Sequence, residues 1–459
     1  MPSQTDRGPG DPGQRGAALV YVLVLLTIVG TLVGLGWRLI RANNNLAALN
    51  QAEAQACLLA QTGLSYALAQ IGPPGHEQNL RYATEGLTYH LDGTGRIFEL
   101  KVASLGLFAR ARSRGETSLP RPGRTKVLSA VLGQELDLGR LPALTLFSRG
   151  SNLVLAGKSQ ITGPVLLWRG RVEKSTDAAV RFQGGAGHVG ALWDSTSPAW
   201  KGVNPDFSRA EAWMKSQSEA LGTLDPGKDP DFDSGMVQNI RLSDSAVLSD
   251  TAMVGARIIA KRVLRIGTGV RLLECKLLSG SIEIEKGSDL RRVVAYAERN
   301  ITIRGGRIRG GQYLAGDTLR IASDSPLEGY PVFYAQGKVI NRGSPDSTMS
   351  GAMILERAMG KGLFLASFRE RPVGDENIRL VVKAGTRLTG LLFTNGYAQM
   401  EGDLEGSLVC QNLKSIHGGT LWIGHLLDAH IWALPKGNIV PAPLLFPACL
   451  PAAFGGHGP

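Results

Sequence analysis

The alternation of apolar and polar positions changes rhythm three times along the chain. Ala17 to Gly36 is a run of 20 residues without a charge, and at about 1.5 Å per residue such a helix spans about 30 Å of hydrocarbon. A second pattern follows, in which Leu49, Ala52, Ala56, Leu59, Gly63, Tyr66 and Gln70 recur every three or four positions. That spacing puts mostly small residues on one face of a helix, where they let it lie close to a sheet or another helix. Gly72, Pro73, Pro74 and Gly75 predict its end. The period then falls to two: "LTYHLDGTGRIFELKVASLGLFARA" alternates on both sides of Asp92-Gly93, a two-residue turn signal, and "RTKVLSAVLGQ" supplies another strand.

From about Leu144 the pattern repeats over a longer period. Apolar pairs separated by one residue occur at Leu264/Ile266, Ile282/Ile284, Ile301/Ile303 and Leu319/Ile321, each followed by a glycine-bearing corner, and Val339 continues the spacing. Five residues before the pairs stand Ile259, Leu277, Tyr296 and Leu314. Two strand-like pieces every 18–20 residues predict a parallel β-helix, with alternate residues inward and each turn stacked on the last. Fainter copies run from "LTLFSRGSNLVLAGKSQITGPVLLWRG" to the "TG" and "EG" corners near residue 400. Between the early and later copies, Pro205 opens a helix whose Phe207, Ala210, Met214, Gln217 and Leu221 share a face, suited to covering a flank. The predicted class is therefore mainly β: a long apolar helix, a small antiparallel sheet, then a parallel β-helix.

Composition agrees with short strands and many corners: 59 glycines, only 6% aromatics, and 43% apolar residues overall. Cys57, Cys275, Cys410 and Cys449 lie far apart without metal-ligand spacing; their even number permits disulfides without implying them. Of the net charge of +11, a local +8 lies between Arg257 and Arg320, where 14 Lys/Arg stand against 6 Asp/Glu.

The apolar run is longer than the core of a cleaved signal peptide, and it leads into Trp37, Arg38 and Arg41, an interfacial collar. A single-pass anchor satisfies these observations. Arg7 and Arg15 on one side balance Arg38 and Arg41 on the other, so charge does not orient it. The order of parts adds something: "QRG" followed at once by Ala-Ala-Leu resembles the processing site of type IV prepilins. The resemblance implies that a prepilin peptidase cuts after Gly16, that Ala17 becomes the mature N-terminus, and that the helix is used again inside a filament. Most pilins have a glutamate five residues after the cut, where this chain has Tyr21. In the family that carboxylate neutralises the amine of the subunit above it, which an end subunit does not need. The departure resembles the K-type minor pseudopilin and the PilX-type minor pilins, and "NQAEAQACLLAQTGLSYALAQ" resembles the PilX-type N-terminal pattern.

The organisation so implied is a leader at 1–16, a membrane segment at 17–36 and its helical extension at 37–71. A sheet follows at 72–142, then a β-helix at 143–435 with a helical insertion near 204–222, and a proline-rich tail at 436–459, expected to be a flexible or capping end. Ala52, Ala56 and Gly63 are the candidate helix-packing residues. The implied partners are other pilin or pseudopilin subunits, the prepilin peptidase and a bacterial inner membrane. The β-helix is then displayed in the periplasm or at the cell surface for adhesion or assembly.

The chemistry of the long repeat points to binding rather than catalysis. Parallel β-helices include polysaccharide lyases and glycosidases, which need clustered carboxylates on an outer face. Here the outward positions carry Arg262, Arg265, Lys286, Arg304, Arg307 and Arg309, and no nucleophile-elbow, zinc-protease or phosphate-loop motif occurs. "DPGKDPDFDSG" sets Asp229, Asp231 and Asp233 in alternation, but Gly235 is one place late for a calcium loop and Ile240 stands at the bidentate position. His425 and His430 are close in sequence without further ligands, so no metal or cofactor is implied. Arg304, Arg307 and Arg309 form a stripe that stacking would space about 4.8 Å apart, suited to an anionic polysaccharide or DNA, or simply to keeping a solvated face soluble. Two other classes stand beside the pilin-like reading: a membrane-anchored polysaccharide-active enzyme, and a bactofilin-like polymer-forming scaffold.

Overall fold

Helix α1 (Pro12–Gln70) is one uninterrupted element of 59 residues. Its only proline is at the first position, where the missing N–H costs nothing, and Ala and Leu are the commonest residues of the remainder. The structure, a computed structural model, describes residues 12–70, 87–91, 96–117, 124–185, 187–194, 205, 207–223, 238–242, 244–322, 325–337, 353–368, 378–445 and 450–454. The predicted helix stop at Gly72–Gly75, the Asp92-Gly93 turn, the 229–235 acidic loop, Val339 and Cys449 lie outside these residues.

Strands β1 (Leu87–Leu91), β2 (Arg96–Leu105), β3 (Phe108–Thr117) and β4 (Arg124–Asp137) form an antiparallel meander. β4 is also paired by two strands from the far end of the chain: Ile439–Ala442 lies antiparallel to 134–137, and Leu450–Phe454 antiparallel to 131–135. The segment expected to be a separate tail thus contributes strands to the N-terminal sheet, hydrogen-bonding to a strand some 300 residues earlier.

The remaining strands pair almost entirely in parallel, in layers of three. The inward residues of the first strand position line up as Ile258, Leu277, Ala295, Tyr313, Phe333, Phe364, Leu392 and Leu408. Those of the second are Leu264, Ile282, Ile301, Leu319, Met353 and Leu380. The third runs Leu272, Leu290, Ile308, Leu327, Gly360, Leu388, Leu404, Ile431 and Ile161. Nearly all of these side chains sit in one continuous apolar core, removed from water, with each Leu, Ile, Met or Phe contributing about 1.5–3 kcal/mol of transfer free energy. Within it Tyr313, Phe333 and Phe364 stack ring on ring, with centroids 5.3 and 5.1 Å apart.

Three expectations need correcting. The second position passes from Leu319 to Met353, 34 residues on, so that layer carries an insertion of about 14 residues beyond the 18–20 residue period. The column read five residues before the pairs mixes two faces. Ile259 aligns with Leu278, Tyr296 and Leu314, and these point outward, while Leu277 points inward with Ile258. They are apolar because the outward side is covered. The Ser208–Thr223 helix lays Ala210, Trp213, Met214 and Leu221 against it, and Leu107, Phe108, Leu138, Leu141, Val440 and Leu445 complete the same cluster. Lastly, the early strands do not stack below the 238–254 layer. Leu144–Leu146 pairs with 408–410, and Gln160–Thr162 with His430–Trp432, so 144–194 continues the stack beyond its C-terminal end. The Ser208–Thr223 helix lies on the flank between, on the chain's way back to the opposite end.

The chain therefore enters the stack at Leu144 and leaves it after Trp432 at neighbouring points. Both connections run to the antiparallel sheet: Leu138 N–H donates to Asn438 O at 3.0 Å, and a Cβ on Gly139 would run into the Pro435 carbonyl. The β2–β3 turn is fixed to the first strand position by Gln312. Its Oε1 accepts from Leu107 N–H at 2.6 Å and its Nε2 donates to Leu105 O at 2.8 Å.

Candidate functional site

The first candidate region is the helix. Val20 to Ile40 of α1 keep their large apolar side chains exposed, among them Leu23, Leu26, Ile28, Leu32 and Trp37. Val20–Ala69 is long and apolar enough to cross a membrane. Thr27 and Thr31 return their hydroxyls to the carbonyls of Leu23 and Ile28 at 2.8 Å each, which satisfies both groups without water. Tyr21, the fifth residue from Ala17, is 76% exposed. Gly16 and Ala17 fall within α1, outside the residues whose side chains are described.

Further along the same helix the small residues are buried. Ala52, Ala56, Ala60, Gly63 and Ala67 make a stripe at spacings of four, four, three and four, and each is essentially inaccessible. What they meet is the chain's own sheet. Gly115 of β3 lies so close to the helix that a Cβ there would sit 2.7 Å from Ala60 N and 2.9 Å from Leu59 Cβ. A Cβ on Gly63 would run into Ser113 and come within 3.0 Å of Phe98. The candidate packing residues Ala52, Ala56 and Gly63 thus hold α1 to β3 and β4, while the opposite side of the helix remains open. Lys126 reaches Glu53 at 3.6 Å across the edge of this contact.

The second region is the charged outer face of the stack. Arg304, Arg307 and Arg309 are there, but none is a free cation. Arg304 Nη1 is 3.6 Å from Glu285 Oε1, and Arg307 Nε is 3.7 Å from Glu328 Oε1. Arg309 Nε lies 3.4 Å from Glu328 Oε2 and 3.7 Å from Asp289 Oδ1. Arg265 and Glu283 pair at 2.8 Å, and Arg320 and Glu356 at 2.8 Å. The hydrogen bond from Arg320 holds the Glu356 carboxyl below the usual range. Parallel stacking explains this: a one-layer step sets outward residues 18 to 21 apart in sequence side by side, or 36 apart for Arg320 and Glu356 across the insertion, so alternating sign along a column makes a ladder of ion pairs. Each exposed pair is worth only about 0–1 kcal/mol. Arg304, Arg307 and Arg309 each stand beside a carboxylate, while the 14 Lys/Arg of 257–320 still outnumber its 6 Asp/Glu.

Other candidates resolve simply. Cys275 and Cys410 are buried free thiols and Cys57 is a partly buried one; burial pushes the first two up in pKa. Among the described residues no three His, Cys, Asp or Glu side chains gather as a metal site. His425 Nδ1 is 2.9 Å from the Ile423 carbonyl. His430 Nδ1 is 2.9 Å from Asp403 Oδ1, a pairing that sequence reading missed because 27 residues separate the two and only the layer register brings them together.

No protein-family model, no curated protein and no solved structure matches the chain.

Proposed function

We propose that the chain is a membrane-anchored, pilin-like structural subunit, of minor or tip type, of a type IV pilus or type II secretion pseudopilus. In this reading its stacked layers are a parallel β-helix carried outside the cytoplasmic membrane for adhesion or assembly. The observation that carries it is the division of labour along α1. One unbroken helix is apolar and open over its first half, and over its second half is clamped by small residues to an antiparallel sheet. A lone anchor needs only the first part. A subunit that leaves the bilayer for a filament needs the second as well, so that helix and sheet travel as one body. The layered parallel registers, repeated at three strand positions, support the β-helix part.

On this reading Gly16 is the last leader residue, Ala17 becomes the methylated N-terminus, and the partners are a prepilin peptidase, sibling subunits and the inner membrane. The anionic-polymer partner has little support, because Arg304, Arg307 and Arg309 already have carboxylates. Mass spectrometry of the N-terminus of protein extracted from its native membrane tests the proposal. A chain starting at an N-methylated Ala17 is expected. An intact Met1 end would sink the prepilin reading and leave a permanently tethered scaffold.

A further inference from the structure

The third strand position carries, at its late end, a surface unlike the rest of the stack. Leu388, Leu404, Ile431 and Ile161 point inward, so the residues on either side of each point out. They form two adjoining rows: Arg387, Asp403, His430 and Gln160, and Thr389, Glu405, Trp432 and Thr162. At about 4.8 Å per layer the grid is about 15 Å long.

We infer that this grid is a binding platform for a linear, neutral glycan lying along the stack. Trp432 is the floor: its indole is 36% exposed on a flat sheet whose outward neighbours are polar, and the His430 ring adjoins it at 5.5 Å and 31°. An exposed indole on a flat face suits the apolar C–H face of a sugar ring. The polar groups around it are held in place by one another. Asp403 takes His430 Nδ1 at 2.9 Å on one oxygen and Arg387 Nε at 3.5 Å on the other. That leaves His430 Nε2 without a partner among the described residues. Glu405 Oε2 accepts from Thr389 at 3.3 Å, which leaves Oε1 for an outside donor. Fixed acceptors and an imidazole beside an aromatic floor match vicinal hydroxyls. Charge does not favour a polyanion: the two carboxylates of the grid are matched by Arg387 and by Lys361, which aligns with Thr389 in the adjoining layer, whereas the early layers are rich in arginine. This site is independent of the N-terminal reading, and it would hold on any anchor.

The test uses the full chain in a detergent without a sugar headgroup, titrated calorimetrically and by tryptophan fluorescence with cellohexaose, chitohexaose and maltohexaose. Hexagalacturonate is the anionic arm. Saturable binding of at least one neutral hexasaccharide is expected, with a dissociation constant on the order of 1 mM. It should change less than about twofold between about 50 and about 500 mM salt, unlike binding by counterion release. Trp432→Ala should weaken it about tenfold or more and Glu405→Gln measurably, while Trp168→Ala, removing another exposed indole, leaves it unchanged. Trp432→Phe, which keeps an aromatic face, guards against a folding artefact and should retain binding. No saturable binding of any neutral probe, binding of hexagalacturonate alone, or full binding by Trp432→Ala would each overturn the inference.

Discussion

Replacing Gln312 by alanine probes the joint between the two parts of the molecule. The side chain is buried, at 4% exposure for the residue, and grips the β2–β3 turn at both of its polar ends. Truncation leaves Leu107 N–H and Leu105 C=O without that partner beside the apolar layer of Leu107, Phe108 and Leu314. Two hydrogen bonds at about 1 kcal/mol net each, plus part of the penalty for stranding a buried group, come to about 3 kcal/mol. Water admitted to the cavity, or relaxation of the turn into it, would reduce that figure. Denaturant unfolding of the detergent-solubilised chain measures the total. Hydrogen exchange at the Leu107 amide measures the local part and should accelerate more than 100-fold, by the usual factor of ten per 1.4 kcal/mol. Gln312→Glu keeps the acceptor for Leu107 but turns a carboxylate toward the Leu105 carbonyl, so it should lose nearly as much. A loss under about 0.5 kcal/mol in Gln312→Ala, with Leu107 still protected, would refute the idea that this residue joins sheet to stack.

Three further outcomes follow from the backbone and one buried phenol. Gly390→Ala should cost about 3 kcal/mol or more, because at φ +143° its Cβ would meet the Gly362 carbonyl of the layer below; Gly150→Ala, at φ +73° with open space around it, should cost about 1 kcal/mol. Comparable losses in the two, measured by denaturant midpoints, would contradict the clash argument. Arg357→Gly should instead stabilise slightly, by about 0.5 kcal/mol, since relief of a left-handed arginine at φ +54° outweighs the added freedom of the unfolded chain; a drop in the midpoint would refute it. Tyr296 is raised to about 12, chiefly by burial beneath the Ser208–Thr223 helix, where Trp213 meets it edge-on at 5.9 Å. Its folded-state pKa lies above the unfolded value near 10, so its contribution is whole below pH 10 and fades as pH rises toward 12. Difference absorbance against Tyr296→Phe should place its ionisation near the upper value, and ionisation near 10 would show the phenol to be open to water.

How much of this was legible depended on whether local pattern and layer register coincided. The pairs from Leu264 to Ile321 are 18 or 19 apart because those layers have no insertion, and their stacking could be read from spacing alone. Phe333 and Phe364 are 31 apart and Phe364 and Leu392 are 28 apart, so the period disappears just where the aromatic stack runs. Corners were visible where glycine marks them, as at Gly269, Gly287 and Gly305. Asp250 and Arg357 adopt the same left-handed conformation at the matching corners and carry no such signal. The small-residue stripe of α1 was visible, but its partner was not, because Gly115 reads as an unremarkable strand glycine until the helix lies on it. Ion pairing of Arg304, Arg307 and Arg309 was beyond reach for the same reason as the His430–Asp403 contact: each depends on which layers are neighbours.

The placement of residues 144–194 is the largest such case, and it bears on what the molecule can do. A stack wound in simple chain order would enter at one end and leave at the other, and the anchor-bearing sheet would be tied to it by a single strand. Here entry and exit coincide, and β4 and Ile439–Ala442 lie side by side as they approach the stack. Two backbone connections and the Asp137 carboxylate, which accepts from Gly139 N–H and Gly437 N–H, meet at one junction, and the Gln312 grip holds the same sheet five layers away along the stack. Pulling or twisting the helix therefore loads the stack through several parallel paths, none of which is a free linker. The arrangement costs a connection along the whole flank, made by the Ser208–Thr223 helix, whose buried face then shields the outward residues Ile259, Leu278, Tyr296 and Tyr334 from water. A passenger built only to be tethered would not need a joint of this kind. One built to hold its orientation relative to the anchor would, and that requirement links the fold to the role proposed for it.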